Sequence, residues 1–174
     1  MLYSQIRMKY FFDVRVSERI QAWGKPQYKM WYVFAVHLMY VYIASWIILS
    51  ALGWLVWWTV PVVAFSAWIL TLGVQAVVAR ERPKFESTTG YKMWWKTYSL
   101  PSGHATISAA VATVLLLTTH FPNLIWLVAL AVIYLIVEVL VAIGRIVVGV
   151  HYLADVLIGF VLGLAFGVVY GLLL

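Results

Sequence analysis

The segment Gly144-Arg-Ile-Val-Val-Gly-Val-His-Tyr-Leu-Ala-Asp155 lies between two long apolar runs in the carboxyl-terminal part of the chain. Within this segment and the two runs, the only Asp, Glu, Lys, Arg or His residues are Glu138, Arg145, His151 and Asp155. Ionisable side chains close to hydrocarbon are energetically costly and mark functional sites in membrane proteins. The segment therefore predicts a polar site where two membrane helices meet.

The spacing within this segment predicts nucleophilic chemistry. His151 and Asp155 are four residues apart, which puts them on one face of a helix. Asp155 is then expected to accept a hydrogen bond from one ring nitrogen of His151, fixing the tautomer and leaving the other nitrogen free to attack. Arg145 is expected to bind an oxyanion through two parallel hydrogen bonds.

The composition is that of an integral membrane protein. Of the 174 residues, 65% are apolar and only 10% are charged, far from the composition of soluble domains. The lack of cysteine excludes disulfides and thiolate metal sites. The net charge of +6 suits anionic lipid surfaces and phosphate substrates. Nucleic acid is not expected as a partner, because the basic residues flank the apolar runs.

Five apolar runs predict membrane-spanning helices, because about 20 apolar residues cross the hydrocarbon core. The predicted spans are residues 31–52, 59–79, 102–119, 124–143 and a fifth that begins near His151. Residues 9–23 have helical apolar periodicity but are too polar to span, so they predict an amphipathic interfacial helix, either an anchor or a gate for substrate. We therefore expect an all-α membrane protein with a single domain over residues 1–174. It would comprise an interfacial segment, residues 1–29, and a bundle of five transmembrane helices, residues 30–174.

Two further polar segments adjoin the predicted spans. Arg82-Pro83 follows the second apolar run, and Pro101-Ser-Gly-His104 begins the third. Proline suits the first turn of a helix, and the N–H groups of the next three residues are then expected to be unpaired and to point at the site. Such a helix start binds anions. Five spans place these segments and the Arg145–Asp155 segment on the same membrane face.

Together, the three segments resemble the three-part signature of the type 2 phosphatidic acid phosphatase (PAP2) superfamily, which includes bacterial acid phosphatases and vanadium haloperoxidases. The resemblance runs from about Gln75 to Asp155. It implies that His151 attacks phosphorus to form a phosphohistidine, that Asp155 orients it, and that His104 protonates the leaving oxygen and then activates water. The implied phosphate-binding groups are Arg82, Arg145 and the backbone amides of Ser102 and Gly103. The resemblance implies no metal and no other cofactor.

The chain departs from the family pattern at two positions. Gln75 stands where the family usually has lysine, and Gly144 stands where it usually has serine. Arg80 or Lys84 is a candidate to replace the missing lysine. Glu138 precedes its arginine by seven residues, as Gln75 does, so both lie roughly 10 Å below their arginines at 1.5 Å per residue. A hydrogen bond between Gln75 and Glu138 is predicted at that depth. Glu138 is then either a structural contact or a neutral, protonated side chain, or it takes part in catalysis or proton handling.

A glycine ridge continues the last helix at four-residue spacing: Gly159, Gly163, Gly167 and Gly171. Small residues at this spacing allow close approach of membrane helices. The ridge predicts either a packing face within the chain or a homodimer interface.

The resemblance implies a phosphatase for lipid phosphates or diphosphates, such as undecaprenyl diphosphate, phosphatidylglycerol phosphate, phosphatidic acid or lipid A. Alternatives are a lipid phosphotransferase using the same histidine, a vanadium haloperoxidase, and a non-catalytic binder or transporter of lipid phosphates. All 12 Lys and Arg residues fall on the predicted site side, which by the positive-inside rule would be cytoplasmic. Bacterial relatives mostly work on the opposite side, and we expect an extracytoplasmic site in a bacterial inner membrane.

Overall fold

A computed structural model describes residues 2–83 and 97–173 of the chain, with side chains from residue 13 onward. All the regular structure in these ranges is helical. The α-helices are α1 Leu2–Gly24, α2 Tyr28–His37, α3 Tyr40–Ala51, α4 Thr59–Val78, α5 Gly103–Thr118, α6 Leu124–Val147 and α7 Leu153–Leu172, and one 3₁₀ turn, Lys25–Gln27, joins α1 to α2. The prediction of an all-α membrane protein is confirmed.

Within the described residues, four helical stretches are long and apolar enough to cross a membrane: Asp13–Ala51, Thr59–Val78, Leu124–Val147 and Leu153–Leu172. The fifth predicted span, α5, has only 16 residues. It packs against α4, α6 and α7, and every residue from Ser108 to Leu115 is buried. An apolar helix enclosed by its neighbours contacts little lipid, so α5 forms the centre of a multi-pass membrane bundle.

Helix boundaries differ from the predicted ones at two places that matter for the site. The first span is divided into α2 and α3 by a turn at Leu38 and Met39, where neither Gly nor Pro signals a break. Helix α6 continues to Val147, so Arg145 lies in its last turn. His151 and Tyr152 then form an extended link before α7 begins at Leu153.

Helix α1 is packed into the bundle. It contacts α6 and α7, its Ser17 is fully buried, and its Ile20 packs against the small apolar cluster formed by Ala105, Ile146 and Val156. The contacts tie α1 to the start of α5, the end of α6 and the start of α7, which are the three places that carry the site.

The glycine ridge of α7 faces α5. A Cβ atom at Gly163 would overlap the carbonyl oxygen of Thr106, and one at Gly159 would lie 2.8 Å from the carbonyl oxygen of Ser102. The ridge is therefore a packing face within the chain, which is the first of the two predicted alternatives, since α5 occupies the groove. The homodimer stays a prediction.

Gly144 is also a point of close contact between two helices. A Cβ atom there would lie 2.9 Å from both the backbone nitrogen of Ala35 and the carbonyl oxygen of Trp31. Glycine at the position of the family's usual serine allows α2 to approach α6 at backbone contact.

Candidate active site

His151 is held in one orientation at the end of the bundle, with only 1% of its surface exposed. Its Nδ1 atom lies 2.9 Å from the carbonyl oxygen of Ser99. A carbonyl oxygen can only accept, so Nδ1 carries the proton and Nε2 keeps a lone pair. Burial lowers the pKa of His151 to about 4, and the nearby positive charges of Arg145 and Arg82 act in the same direction. The ring is therefore neutral at pH 7.

The carboxylate of Asp155 does not make the predicted hydrogen bond to His151. Its Oδ2 atom lies 3.7 Å from Nδ1, which is too long for a hydrogen bond. The expectation fails because His151 precedes α7 in an extended link, so the four-residue spacing is not a helical one. Asp155 instead accepts the backbone N–H of Tyr152 at 2.8 Å and pairs with Arg80 at 2.7 Å.

Arg82 donates to the unprotonated nitrogen of His151. Its Nη1 atom is 3.2 Å from Nε2 of His151 and donates to the carbonyl oxygen of Val150 at 2.9 Å. Its other nitrogens donate to the carbonyl oxygen and the hydroxyl of Thr97, at 2.9 and 2.8 Å. The guanidinium is thus fixed by backbone on both sides and places a positive charge next to the nucleophilic nitrogen.

The start of α5 differs in detail from the prediction. Pro101 lies before the helix, Ser102 is the N-cap residue and α5 begins at Gly103. The Ser102 N–H donates to the carbonyl oxygen of Asp155 at 2.8 Å, so the expectation that this amide points at the site is wrong. The N–H groups of Gly103 and His104, in the first helical turn, have no acceptor within the helix. The buried hydroxyl of Ser102 has no hydrogen-bond partner among the described residues.

The remaining predicted site residues gather around the same point. Arg145, buried in the last turn of α6, and His104, in the first turn of α5, come from different helices. Arg145, His151 and Arg82 all lie within electrostatic range of the His104 ring. The structure therefore brings two histidines, two arginines and a helix start together at one end of the bundle, which is an arrangement suited to a phosphate group.

The sequence model of the PAP2 superfamily matches residues 34–173. The chain belongs to the PAP2 superfamily. It is 33% identical over 123 residues to a decaprenylphosphoryl-5-phosphoribose phosphatase of Mycolicibacterium smegmatis, covering 67% of this chain and 63% of that protein. It is 44% identical over 66 residues to an undecaprenyl-diphosphatase of Sulfolobus acidocaldarius, covering 38% of this chain and 29% of that protein. The match thus spans less than two thirds of the length of either relative.

A solved structure has the same fold as this PAP2 protein. It is the transmembrane PAP2-type phosphatidylglycerolphosphate phosphatase of Bacillus subtilis, with a TM-score of 0.73 and 23% sequence identity. The match covers 94% of this chain and 84% of the other. The family resemblance predicted from the three motifs is confirmed.

The two mid-membrane polar residues of this PAP2 protein do not contact each other as predicted. Gln75 donates from Nε2 to the carbonyl oxygen of Pro101 at 2.8 Å, while Glu138 accepts a short hydrogen bond from the hydroxyl of Ser108. Each is therefore bound to α5 or to the residues before it. Gln75 holds α4 against the start of α5, at the position where the family usually places a lysine.

Arg80 does not stand in for that lysine, because two carboxylates hold its guanidinium. It pairs with Asp155 at 2.7 Å and with Asp13 of α1 at 2.6 Å, and it lies 4.3 Å from the ring centre of Tyr152. The other candidate, Lys84, lies outside the described residues.

Sequence reasoning missed four residues at the site: Asp13, Ser17, Thr97 and Ser99. Thr97 and Ser99 act mainly through backbone carbonyls, which no side-chain pattern reveals. Asp13 and Ser17 lie on the amphipathic helix α1, where polar residues are ordinarily exposed, so only the packing of α1 against α7 identifies them.

Proposed function

We propose that this protein is a metal-independent phosphatase that removes phosphate from a membrane lipid phosphate or diphosphate through a phosphohistidine on His151. One observation carries the proposal. A buried, neutral histidine has its Nδ1 proton bound to the carbonyl of Ser99 and its Nε2 atom 3.2 Å from the guanidinium of Arg82. This combination favours attack of a histidine nitrogen on phosphorus, because the ring keeps its lone pair and the cation offsets the negative charge of the phosphate oxygens.

In the first step, the lone pair on Nε2 of His151 forms a bond to phosphorus while the bond from phosphorus to the leaving oxygen breaks. His104 donates a proton to that oxygen. Arg82, Arg145 and the N–H groups at the start of α5 stabilise the equatorial oxygens. The phosphorylated ring is positively charged, and the Asp155 carboxylate, 3.7 Å from Nδ1, stabilises that charge.

In the second step, a water molecule attacks the phosphorus of the phosphohistidine. His104, neutral after the first step, takes a proton from this water. The bond between phosphorus and Nε2 breaks, its electron pair returns to the ring, and His151 is ready for another cycle. Inorganic phosphate leaves, and His104 carries the proton needed for the next leaving group.

The substrate class follows from the position of the site and from the relatives. The site lies at one end of an apolar helix bundle, where a headgroup can enter while its chains stay among the apolar outer faces of the helices. Relatives are named for polyprenyl-linked phosphates, and the structural neighbour for phosphatidylglycerol phosphate. We infer that a polyprenyl or glycerol lipid phosphate is the substrate, and that the site faces the extracytoplasmic side of a bacterial inner membrane.

The test is phosphate release by the purified protein in detergent, measured over a panel of lipid phosphates with EDTA present. We expect release from at least one polyprenyl or glycerol lipid phosphate, inhibition by vanadate, and an alkali-stable phosphohistidine that is absent from His151→Ala. Transfer to an alcohol acceptor without release would indicate a phosphotransferase. Binding without turnover would indicate a non-catalytic lipid-phosphate binder, and wild-type turnover by His151→Ala would refute the mechanism.

A further inference from the structure

The N-terminus of α7 is capped by residues of α1. Helix N-termini leave their first N–H groups without internal acceptors, and these are usually satisfied by a short polar N-cap side chain. Here the N-cap residue is the bulky Tyr152. The N–H of Leu153 donates to the Ser17 hydroxyl at 2.9 Å, and the N–H of Ala154 donates to Oδ1 of Asp13 at 2.9 Å. Helix α1 therefore completes the start of α7.

Asp13 also belongs to a set of two largely buried ion pairs that share Arg80. Oδ2 of Asp13 lies 2.6 Å from Arg80, whose other terminal nitrogen lies 2.7 Å from Oδ1 of Asp155. The three side chains are 12%, 7% and 0% exposed, in that order. Each carboxylate takes one terminal nitrogen, so the guanidinium is held between them and cannot turn both nitrogens toward Asp155.

Asp155 contacts both the segment that holds His151 and the start of α5. Oδ2 of Asp155 accepts the N–H of Tyr152, the residue that follows His151. The carbonyl oxygen of Asp155 accepts the N–H of Ser102 at the start of α5. The side chain of Asp155 thus fixes the backbone next to the nucleophilic ring, while its main-chain carbonyl holds the helix start that we propose to bind phosphate. A shift of the side chain alone would therefore displace the ring and leave the helix start in place.

We propose that Asp13 is a positioning residue for His151, acting through Arg80 and Asp155. Helix α1 is then an integral part of the active site. Two carboxylates on one arginine hold Asp155 at a fixed distance from the His151 ring. Without the Asp13 carboxylate, one of the two ion pairs that fix the Arg80 guanidinium is lost, and Asp155 is no longer held from the side of α1. This inference rests on the proposed phosphatase function.

The central experiment compares Asp13→Asn with the wild type in phosphate release and in vanadate inhibition. Asparagine keeps an oxygen for the N–H of Ala154 but presents no charge to Arg80. We expect kcat to fall by about 10- to 100-fold, as for the residues that orient histidines in metal sites, with KM and the vanadate inhibition constant within about threefold. Ser17→Ala removes a cap without changing charge and should cost less than Asp13→Asn. Glu18→Gln, an exposed charge change on the same helix, should leave turnover unchanged.

Coupling through Arg80 is tested by a double variant. If Asp13 acts through Arg80, Asp13→Asn combined with Arg80→Gln should be no slower than Arg80→Gln alone. Independent, multiplicative losses would overturn the proposal, as would wild-type kcat in Asp13→Asn. Should the wild type release phosphate from no lipid, the phosphatase proposal fails, and nitrogen NMR of the His151 ring decides this inference separately. We expect Asp13→Asn to shift the ring-nitrogen signals of His151 while the tautomer set by Ser99 is retained, because the Asp155 carboxylate 3.7 Å from Nδ1 moves; unchanged signals would overturn it.

Discussion

The Nδ1 atom of His151 donates to the backbone carbonyl of Ser99 over 2.9 Å. A main-chain oxygen, which no side-chain substitution removes, thus selects the tautomer in which Nε2 is the nucleophile. In other histidine sites a carboxylate does this work, and its loss is severe because the wrong tautomer forms. Here the carboxylate of Asp155 lies 3.7 Å from Nδ1. It stabilises the positive charge of the phosphorylated ring and fixes the backbone next to it.

Asp155→Asn should therefore be damaging but not inactivating. Where the carboxylate sets the tautomer, the amide costs about 10⁴ in kcat; with Ser99 in that role we expect a loss of about 10- to 100-fold. Vanadate should bind nearly as well as to wild type, because the arginines are untouched. Turnover and vanadate inhibition measure the two effects, and a loss as large as that of His151→Ala would show that Asp155 controls the tautomer after all.

His104→Ala should slow the step that needs an acid more than the step that does not. The rate of phosphohistidine formation should fall greatly with a lipid phosphate, whose alkoxide is a poor leaving group, and less with p-nitrophenyl phosphate, whose phenolate leaves without protonation. With p-nitrophenyl phosphate, phosphohistidine should accumulate, because the base for the second step is missing. Alkaline quenching followed by detection of bound phosphate measures this. Equal deficits with the two substrates would argue against an acid role.

The stability of the protein should decrease on acidification because of His151. Its pKa is about 4 in the folded protein and about 6.5 in an unfolded chain. Between these values the unfolded chain binds more protons, so stability falls as pH falls from 6.5 to 4, by up to about 3 kcal/mol. His151→Gln should lack this component. As the pH falls from 6.5 to 4, the Tm of the wild type should therefore decrease more than the Tm of the variant. A pH-independent difference would contradict the buried neutral ring.

Gln75 is expected to support phosphate binding indirectly. Its amide donates to the carbonyl of Pro101 at 2.8 Å, and loss of one such buried hydrogen bond costs about 1–2 kcal/mol. Gln75→Met should therefore loosen the start of α5 and weaken vanadate inhibition by about tenfold. Gln75→Lys retains a donor and adds a cation near the site, so vanadate should bind at least as tightly as to wild type. Weakened inhibition in the lysine variant alone would show that the amide geometry matters more than the donor.

The membrane face that carries the site can be measured by cysteine labelling, because the chain contains no cysteine of its own. Lys25→Cys places a thiol on the site side, next to α1 and α2, and His120→Cys places one on the opposite side, in the exposed turn between α5 and α6. In intact spheroplasts, an impermeant thiol reagent should label Lys25→Cys and leave His120→Cys unlabelled until the membrane is opened. The reverse pattern would place the site in the cytoplasm, as the positive-inside rule predicts.

The amino-acid sequence by itself determined the class of fold and most of the central site. Apolar run length reports membrane helices directly, because hydrocarbon thickness sets the number of residues needed. The three motifs predicted His104, His151, Arg82 and Arg145 as site residues through their resemblance to the PAP2 signature, and ionisable residues among apolar ones have few roles besides function. These signals are local, or depend only on which membrane face a segment reaches.

Tertiary structure decided the partners of those residues. That Ser99 holds the ring of His151, that Arg80 joins Asp13 to Asp155, and that Gln75 binds Pro101 while Glu138 binds Ser108 all depend on how helices distant in the chain pack. The same is true of the glycine ridge, whose spacing fits a dimer or an internal groove equally well until α5 is seen to fill it. Hydrogen bonds act over about 3 Å, so rotating one helix by a single residue exchanges its partners while leaving every sequence pattern unchanged.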